Sequence, residues 1–136
     1  MLPSQTLAVS IACSPSTAYE FIRDPRNLPQ WANGLCLSVR PASDDDSAGA
    51  DWIAETPHGP VGLSFVERND FGVLDHYVSP SPGVQIYVPL RVLPNQEGCE
   101  VIFTLFRQPG MTDQHFASDA AMVRRDLDAL KLLLQR

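Results

Sequence analysis

The sequence has few cysteines, and they lie far apart. Cys13, Cys36 and Cys99 are the only three, and an odd number excludes a complete set of intramolecular disulfides. None of them has the close spacing of metal ligands. For this chain of 136 residues we therefore expect no disulfide framework, no metal site and a reducing, cytoplasmic setting.

Basic residues are also scarce. The chain has 10 Lys and Arg against 16 Asp and Glu, which gives a formal net charge of -6. Its arginines are scattered, and no basic run compensates for the overall acidity. Nucleic acid is therefore excluded as a main partner, because its phosphates require clustered positive charge.

Long apolar runs are absent as well, so we expect no membrane span. The segment from Leu7 to Cys13 faintly resembles an export segment that ends at a lipid-modified cysteine. It lacks a basic start, however, and polar residues interrupt it. Its apolar residues Leu7, Val9 and Ile11 instead alternate with small ones, which predicts a strand.

Motifs of cofactor and nucleophile chemistry are missing too. The glycines are isolated turn residues, so no phosphate-cradling loop or dinucleotide fingerprint is present. No Ser-His-Asp or Cys-His arrangement is indicated. We therefore expect no cofactor. The length and ordinary apolar content predict one domain over residues 1–136, large enough to bury a core.

The clearest pattern that is present is at the C-terminus. From Thr112 onward, apolar residues recur at steps of three and four, which puts them on one stripe of a helix of about 23 residues, roughly 35 Å long. Such a helix needs a broad apolar surface to lie on. The stripe consists of Phe116, Ala120, Val123, Leu127, Leu130 and Leu134.

The rest of the chain predicts an antiparallel sheet with helices near its start. After the first strand, Ser14 and Pro15 favour a short helix that ends before Asp24-Pro25. A second helical turn follows through Trp31. Turn residues then separate six strands, beginning with one that contains Leu35, Leu37 and Val39; the others are predicted at 51–56, 61–68, 73–78, 84–93 and 99–107.

In this order of elements the chain resembles the START and pollen-allergen superfamily, also called SRPBCC, and within it the polyketide cyclase/dehydratase-like proteins. The resemblance is carried by the segment from Ser14 to Ile22, by Asp24-Pro25 and Trp31, and by Asp126-Leu127 with Leu130 in the closing helix. It implies an α+β helix-grip fold. A curved seven-stranded antiparallel sheet would surround the long C-terminal helix, two short helices would follow strand 1, and an apolar ligand cavity would separate sheet and helix.

Strand register follows from the turns, because alternate residues of a strand share a face. Pairing Thr56 with Val61 and extending the register across the later turns predicts one inner face. Pro89 weakens this inference, since a proline within a strand indicates an edge or a bulge. The predicted inner residues are Trp52, Leu63, Phe65, Tyr77, Ile86, Val88, Leu90, Val101, Phe103 and Leu105; the predicted outer ones include Glu55, His76, Tyr87, Arg91, Glu100 and Thr104.

Asp75 is the exception on this predicted inner face. A carboxylate among apolar side chains costs several kcal/mol unless it is paired, hydrogen-bonded or hydrated. It is therefore a candidate general acid or base, with Tyr77 beside it as a polar group. The alternative is that a bulge turns Asp75 outward to pair with Arg91 or another exposed cation.

Arg107 has the same parity as Leu105, so it is a candidate for the cavity mouth; the alternative is a solvated arginine at the end of a strand. The full set of candidate ligand-binding residues combines the sheet face with the start and middle of the long helix. It comprises Trp52, Phe65, Asp75, Tyr77, Val88, Phe103, Arg107, Met111, Phe116 and Val123.

Three functions remain open. The first is binding of a small apolar or aromatic molecule, such as a lipid, in the cavity. The second, implied by the resemblance, is an aromatase/cyclase-type enzyme that needs only acid or base groups and shape. The third is a protein-interaction module, for which the segment from Val84 to Leu90 is the candidate apolar patch.

Overall fold

The computed structural model describes residues 1–33, 36–46 and 49–136, and its class is α+β. Three helices and eight strands make up this part of the chain. In order they are β1 Ser4–Ile11, α1 Pro15–Arg23, α2 Leu28–Trp31, β2 Ser38–Pro41, β3 Trp52–Thr56, β4 Gly59–Phe65, β5 His76–Ser79, β6 Ile86–Val88, β7 Leu90–Asn95, β8 Gly98–Phe106 and α3 Asp113–Leu134.

The strands form two antiparallel sheets, so the expectation of a single seven-stranded sheet is corrected. One sheet has the order β1-β8-β7 and the other the order β2-β3-β4-β5-β6. The physical reason is Pro89, which separates β6 from β7 and has no N–H to give to a ladder. One hydrogen bond still links the two sheets at this point: the Pro89 carbonyl accepts it from Thr104 N of β8 at 3.1 Å.

The helices after the first strand form as predicted. Ser14 caps α1, and its hydroxyl oxygen accepts a hydrogen bond from the Thr17 backbone N at 3.2 Å. The helix ends at Arg23, before the extended Asp24 that precedes Pro25. A 3₁₀ turn, Pro25–Asn27, then leads into α2.

The long C-terminal helix is also confirmed. Thr112 caps α3 by accepting a hydrogen bond from His115 N at 3.0 Å, and the helix runs for 22 residues. The middle of the predicted apolar stripe is buried, and its two ends are partly buried. The buried stripe residues are Ala120, Val123, Leu127 and Leu130. No helix in the described ranges is both long enough and apolar enough to cross a membrane.

Side chains of α3 and of the residue that caps its C-terminus fasten it along β1, which is an edge strand of the three-stranded sheet. The Arg124 guanidinium donates a hydrogen bond to the Ala8 carbonyl at 2.9 Å. Beyond the last turn, Gln135 accepts a hydrogen bond from Ala12 N at 2.8 Å. These two contacts fix which long edge of the helix lies beside β1.

The connection between β4 and β5 is longer than predicted, because β4 ends at Phe65 and β5 begins only at His76. Asn69 organises this loop. Its side-chain oxygen accepts hydrogen bonds from Phe71 N and Val73 N at 3.0 and 3.1 Å, and its amide group donates to the Val73 carbonyl at 2.9 Å.

The predicted second strand is shorter than expected. β2 begins at Ser38, Leu37 is exposed, and Leu35 lies outside the described residues. β2 pairs with β3, and Val39 is opposite Ala54. The five-stranded sheet therefore has β2 as one edge and β6 as the other.

We predict that the stability of the fold depends on the α3 stripe. Leu127 is fully buried, at 0 % exposure, so Leu127→Ala should lower the free energy of unfolding by about 3 kcal/mol. Leu132 is on the same helix with 68 % exposure, and Leu132→Ala should change stability by less than about 0.5 kcal/mol. Urea denaturation measures both. Equal losses would contradict the described packing of α3.

Candidate functional site

The site is built on the long edge of α3 that faces away from β1. Ala117, Ala121 and Arg124 lie on the β1 side, where they line a groove with the start of that strand. At 100° per residue, Asp119 and Asp126 lie on the other side of the buried stripe. This second side is turned away from β1, along which Arg124 and Gln135 fasten the helix.

The opposite wall is the inner face of the five-stranded sheet, meaning the face that carries Ala54, Leu63 and Val78. Leu28 of α2 packs against this face and also against the core beneath α3. Because α2 also contacts both α3 and β2, it bridges the helix and the sheet.

This inner face is apolar but incompletely covered. Among the described residues, the closest backbone contacts of α3 are with β1, β8 and α2 rather than with the five-stranded sheet. Several inner side chains are therefore only partly buried, although they lie on the core side of the sheet: Trp52, Val61, Phe65, His76, Val78 and Ile86.

His76 is the polar side chain of this wall. It is opposite Phe65 in the β4–β5 pair and Val88 in the β5–β6 pair, and its ring stacks on that of Phe65 with centroids 4.7 Å apart. Nδ1 is 3.1 Å from the Leu74 carbonyl, which can only accept, so Nδ1 carries the proton. Burial lowers the pKa of His76, and Nε2 is left as an acceptor.

Asp126 is the most buried acid of α3, with 9 % exposure. Its carboxylate makes no hydrogen bond or ion pair with any other residue that the structure describes. Burial raises its pKa to about 6, and the positive charge of Arg125 acts in the opposite direction. Asp126 therefore titrates close to neutral pH.

Asp119 is one heptad before Asp126 on the same side of α3. Its side chain is 3.5 Å from His115 Nε2. Burial raises the pKa of Asp119, and the nearby His115 partly offsets that rise. The edge of α3 that is turned away from β1 is therefore acidic.

Trp31 of α2 contributes one buried donor. Its indole Nε1 is buried and has no hydrogen-bond partner among the residues at 1–33, 36–46 and 49–136. The ring belongs to the core cluster that contains Val123 and Leu130. An unsatisfied buried N–H costs about 1–3 kcal/mol, which is unusual in a folded protein and needs a reason.

The structure moves Asp75 off the predicted inner face. It is 6 % exposed, and it lies on the outer side with Arg91 and Tyr87. Arg91 binds it through two hydrogen bonds of 2.9 and 2.8 Å, and Tyr87 Oη and Leu90 N donate to it at 2.7 and 3.0 Å. The alternative of outward pairing with Arg91 is therefore the one observed.

Tyr77 also lies on the outer face, so its predicted placement is wrong. It is 40 % exposed and pairs with Tyr87, with ring centroids 5.5 Å apart. The reason is a register difference of one residue: Phe65 is opposite His76 rather than Asp75. A shift by one residue exchanges the two faces of a strand, which also brings His76 from the predicted outer face to the inner one.

Arg107 closes the turn before α3. Its guanidinium donates to the Met111 carbonyl at 3.1 and 2.7 Å and is paired with Asp113. These contacts engage the polar end of Arg107 and hold Met111 in the same turn. That Arg107 also reaches a cavity mouth stays a prediction.

The other candidates divide between core and wall. Val123 is buried in the cluster beneath α3, and Val88 is buried within the sheet. Phe103 packs against that cluster, and Phe116 is partly buried near the start of α3. Of the candidate ligand-binding residues, only Trp52 and Phe65 combine the predicted inner parity with partial exposure on the five-stranded sheet.

Sequence reasoning missed three polar groups: His76, Asp119 and Asp126. The helical spacing contained a signal for Asp126, which comes three residues after Val123 and four before Leu130, beside the stripe. His76 had no such signal, because its face depends on the length of the loop before it.

Two open grooves lie elsewhere on the surface. One, of about 420 Å³, lies between β1 and α3. The other, of about 320 Å³, lies between α1 and the loop after β4, where Arg68 lies over the Tyr19 ring at 5.8 Å. Neither groove has the inner-face aromatic residues in its lining. We place the candidate site at the inner face because the partly exposed aromatic residues Trp52 and Phe65 lie there beside His76.

The predicted interaction patch is not continuous. In the segment from Val84 to Leu90, Val84 and Tyr87 are exposed, but Val88 and Leu90 are buried. The segment therefore does not form the broad exposed apolar surface that an interaction module would need.

Comparison with solved structures identifies the fold. XoxI from Bacillus cereus superposes with a TM-score of 0.76 at 17% identity, covering 98% of this chain and 96% of its own. A START superfamily protein from Mycobacterium smegmatis gives 0.70 at 10% identity, with 96% of both chains covered. The Zhui aromatase/cyclase from Streptomyces sp. R1128 gives 0.72 at 12% identity, covering 100% of this chain and 95% of its own.

The chain therefore has a START-like fold of the kind found in polyketide cyclases, as its sequence pattern predicted. No protein-family model matches the sequence, and no curated protein sequence matches it.

We predict that Asp75 stabilises the fold as an ion. Its contacts, those of Arg91 first, lower its pKa from 3.8 to about 2. A lowered folded-state pKa gives stability that is present above pH 4 and is lost as the pH falls toward 2. Asp75→Asn should therefore cost about 2 kcal/mol at pH 7 and almost nothing near pH 2.

Denaturation at several pH values measures this effect, with the exposed Asp44→Asn as the control for a lost surface charge. A constant difference between the wild type and Asp75→Asn across the pH range would contradict the ion pair.

For Asp126 we predict that the pH dependence of folding stability has the opposite sign. Its pKa is raised from 3.8 to about 6, so the folded protein keeps a proton that the unfolded chain releases in that interval. Stability should therefore fall as the pH rises through it. Asp126→Asn, which lacks this charge, should be more stable than the wild type above pH 6, by at most about 3 kcal/mol.

The matched control is Asp128→Asn, an exposed acid on the same helix. Thermal unfolding from pH 4 to pH 8 distinguishes the variants. An Asp126→Asn protein that loses stability at high pH would show that the carboxylate has a stabilising partner.

Proposed function

We propose that this protein binds a small apolar or aromatic molecule between α3 and the inner face of the five-stranded sheet. The observation that carries the proposal is the partial exposure of Trp52, Phe65 and Val78 on the core side of that sheet. Ligand sites are mostly apolar walls with a few polar groups. His76 and Asp126 supply those groups here.

The fold supports the same proposal. START-like proteins and aromatase/cyclases superpose along almost the full length of this chain. The polar groups of the proposed site differ from those expected from the sequence, because Asp75 and Tyr77 lie on the other side of the sheet. Ligand orientation is therefore assigned to His76, Asp119 and Asp126.

A cyclase or aromatase-type activity is the second candidate. The observation that favours it is the pKa of Asp126, about 6, since a general acid or base works best when its pKa is near the working pH. Asp75 does not fit that role, because its contacts with Arg91 and Tyr87 keep it ionised.

We predict that a panel of aromatic polyketides, flavonoids, sterols, fatty acids and apolar amines contains compounds that raise the melting temperature. Saturation at 100 times the Kd stabilises a native protein by about 2.7 kcal/mol. Phe65→Ala should weaken binding of such a compound by about tenfold, since it removes an aromatic contact worth about 1.5 kcal/mol or more.

The control is Tyr77→Ala, which truncates an aromatic side chain on the opposite face of β5 and should leave affinity unchanged. No stabilisation by any compound, or equal losses in both variants, would reject a site on the inner face. Chromatography with mass analysis of each bound compound after incubation separates the two candidates. An unchanged mass and retention time indicate a binding protein, whereas loss of water, or a product of equal mass with a new retention time as ring closure gives, indicates an enzyme.

A further inference from the structure

We infer that Cys13 and Cys99 form a reversible oxidation site, at which hydrogen peroxide converts two neighbouring thiols into one disulfide bond. The site lies where the chain passes from β1 to α1, and it is independent of the ligand site proposed above. Three observations support it: the register of β1 and β8, the packing of both cysteines in one cluster, and the different exposure of their side chains.

The register of the β1–β8 pair brings the two cysteines to adjacent positions. Cys99 is directly opposite Ile11, the last residue of β1, and Cys13 follows Ile11 by two residues. Because side chains two positions apart share a face of a strand, Cys13 is the diagonal neighbour of Cys99 on the core side of the sheet. The two strands are close here, since a Cβ on Gly98 would lie 2.8 Å from the Ile11 carbonyl oxygen.

The packing of the two side chains agrees with this register. Cys99 belongs to the core cluster beneath α3, and Cys13 packs against the same cluster. The two thiols also interact, because burial first, and then the charge and the hydrogen bond of the Cys13 side chain, raise the pKa of Cys99 to about 11. Cys36, in contrast, belongs to the separate cluster on the five-stranded sheet, where its thiol donates to the Ser38 carbonyl at 3.4 Å.

A disulfide between these positions needs only a small shift of the backbone. Diagonal neighbours in a regular ladder have Cα atoms about 7–8 Å apart, and the Cα atoms of bridged cysteines are about 4.4–6.8 Å apart. β1 ends at Ile11, and the chain bends at Ala12 and Cys13. Cys13 can therefore approach Cys99 without breaking a hydrogen bond of the β1–β8 ladder.

The different exposure of the two thiols determines which of them reacts first. Cys99 is 1 % exposed and its raised pKa keeps it protonated at neutral pH, so it does not react directly with an oxidant in solution. Cys13 is partly exposed, so hydrogen peroxide reaches its sulfur. A sulfenic acid formed on Cys13 then has Cys99 beside it as the resolving thiol.

The oxidation takes place in two steps. The Cys13 thiolate attacks one oxygen of hydrogen peroxide, so that an S–O bond forms, the O–O bond breaks, and the released hydroxide takes up a proton to become water. The Cys99 sulfur then attacks the sulfenic sulfur of Cys13, so that the S–S bond forms, the S–O bond breaks, and the Cys99 proton leaves with the hydroxide as a second water. The two thiols are oxidised by two electrons in total, and the peroxide is reduced by two.

Peroxide treatment of the native full chain, followed by tryptic mapping without a reductant, tests this inference. Trypsin releases Cys13 in peptide 1–23, Cys99 in peptide 92–107 and Cys36 in peptide 27–68. We expect peptides 1–23 and 92–107 to be joined, with a combined mass lower by two hydrogen atoms. Free thiols counted in denaturant should fall from three to one, and dithiothreitol should restore all of them.

Two variants serve as controls. Cys36→Ala should form the bridge as the wild type does, and Cys13→Ala should keep both of its thiols. The oxidised wild type should melt at the same temperature as the reduced protein or above it, because a bridge that fits the fold restricts only the unfolded chain. A bridge that includes Cys36, sulfinic acid at Cys13 without a bridge, no reaction of the native protein, or a lower melting temperature would each overturn the inference. The peptide map uses the wild-type protein, so the test does not depend on the folding of a variant.

Discussion

The width of α3 limits how many strands of the two sheets this helix can cover. A helix is about 10 Å across and strands are about 4.8 Å apart, so one helix covers about two strands. α3 accordingly packs on β1 and β8, where Leu127 and Leu130 are fully buried. The five-stranded sheet must rely on α2 and on its own side chains. Its inner face therefore keeps apolar side chains partly exposed, and the candidate site is a consequence of this geometry.

Two buried aspartates show how surroundings decide the role of a side chain. Asp75 lies at the junction of the two sheets, where it binds Leu90 N directly after Pro89 and holds Arg91 with two hydrogen bonds. These hydrogen bonds stabilise the backbone where Pro89 interrupts the strand ladder. Asp126 has similar burial without such contacts, so its pKa moves in the opposite direction. The donors around Asp75 hold it as an ion, whereas burial of Asp126 disfavours its charged form.

Local patterns predicted most of the fold, because they depend on neighbouring residues. The cap at Ser14, the stop at Asp24-Pro25 and the α3 stripe are such patterns, and all three are confirmed. The face of β5 was not predictable in this way. It depends on the loop between Phe65 and His76, where the side chain of Asn69 sets a path that no turn motif indicates. A register shift of one residue there puts His76 on the inner face and Tyr77 on the outer one. The inner aromatic residues Trp52 and Phe65 were therefore predicted, whereas His76 was not.

The contact between Arg124 and Ala8 has a consequence for how the molecule behaves beside its own copies. β1 is an edge strand, and the free carbonyls of an edge strand are a template on which another chain can add a strand. Arg124 occupies one of these carbonyls and places a charged side chain across the edge. α3 therefore not only covers the core but also hinders intermolecular β-pairing at β1, which is the first step toward aggregation.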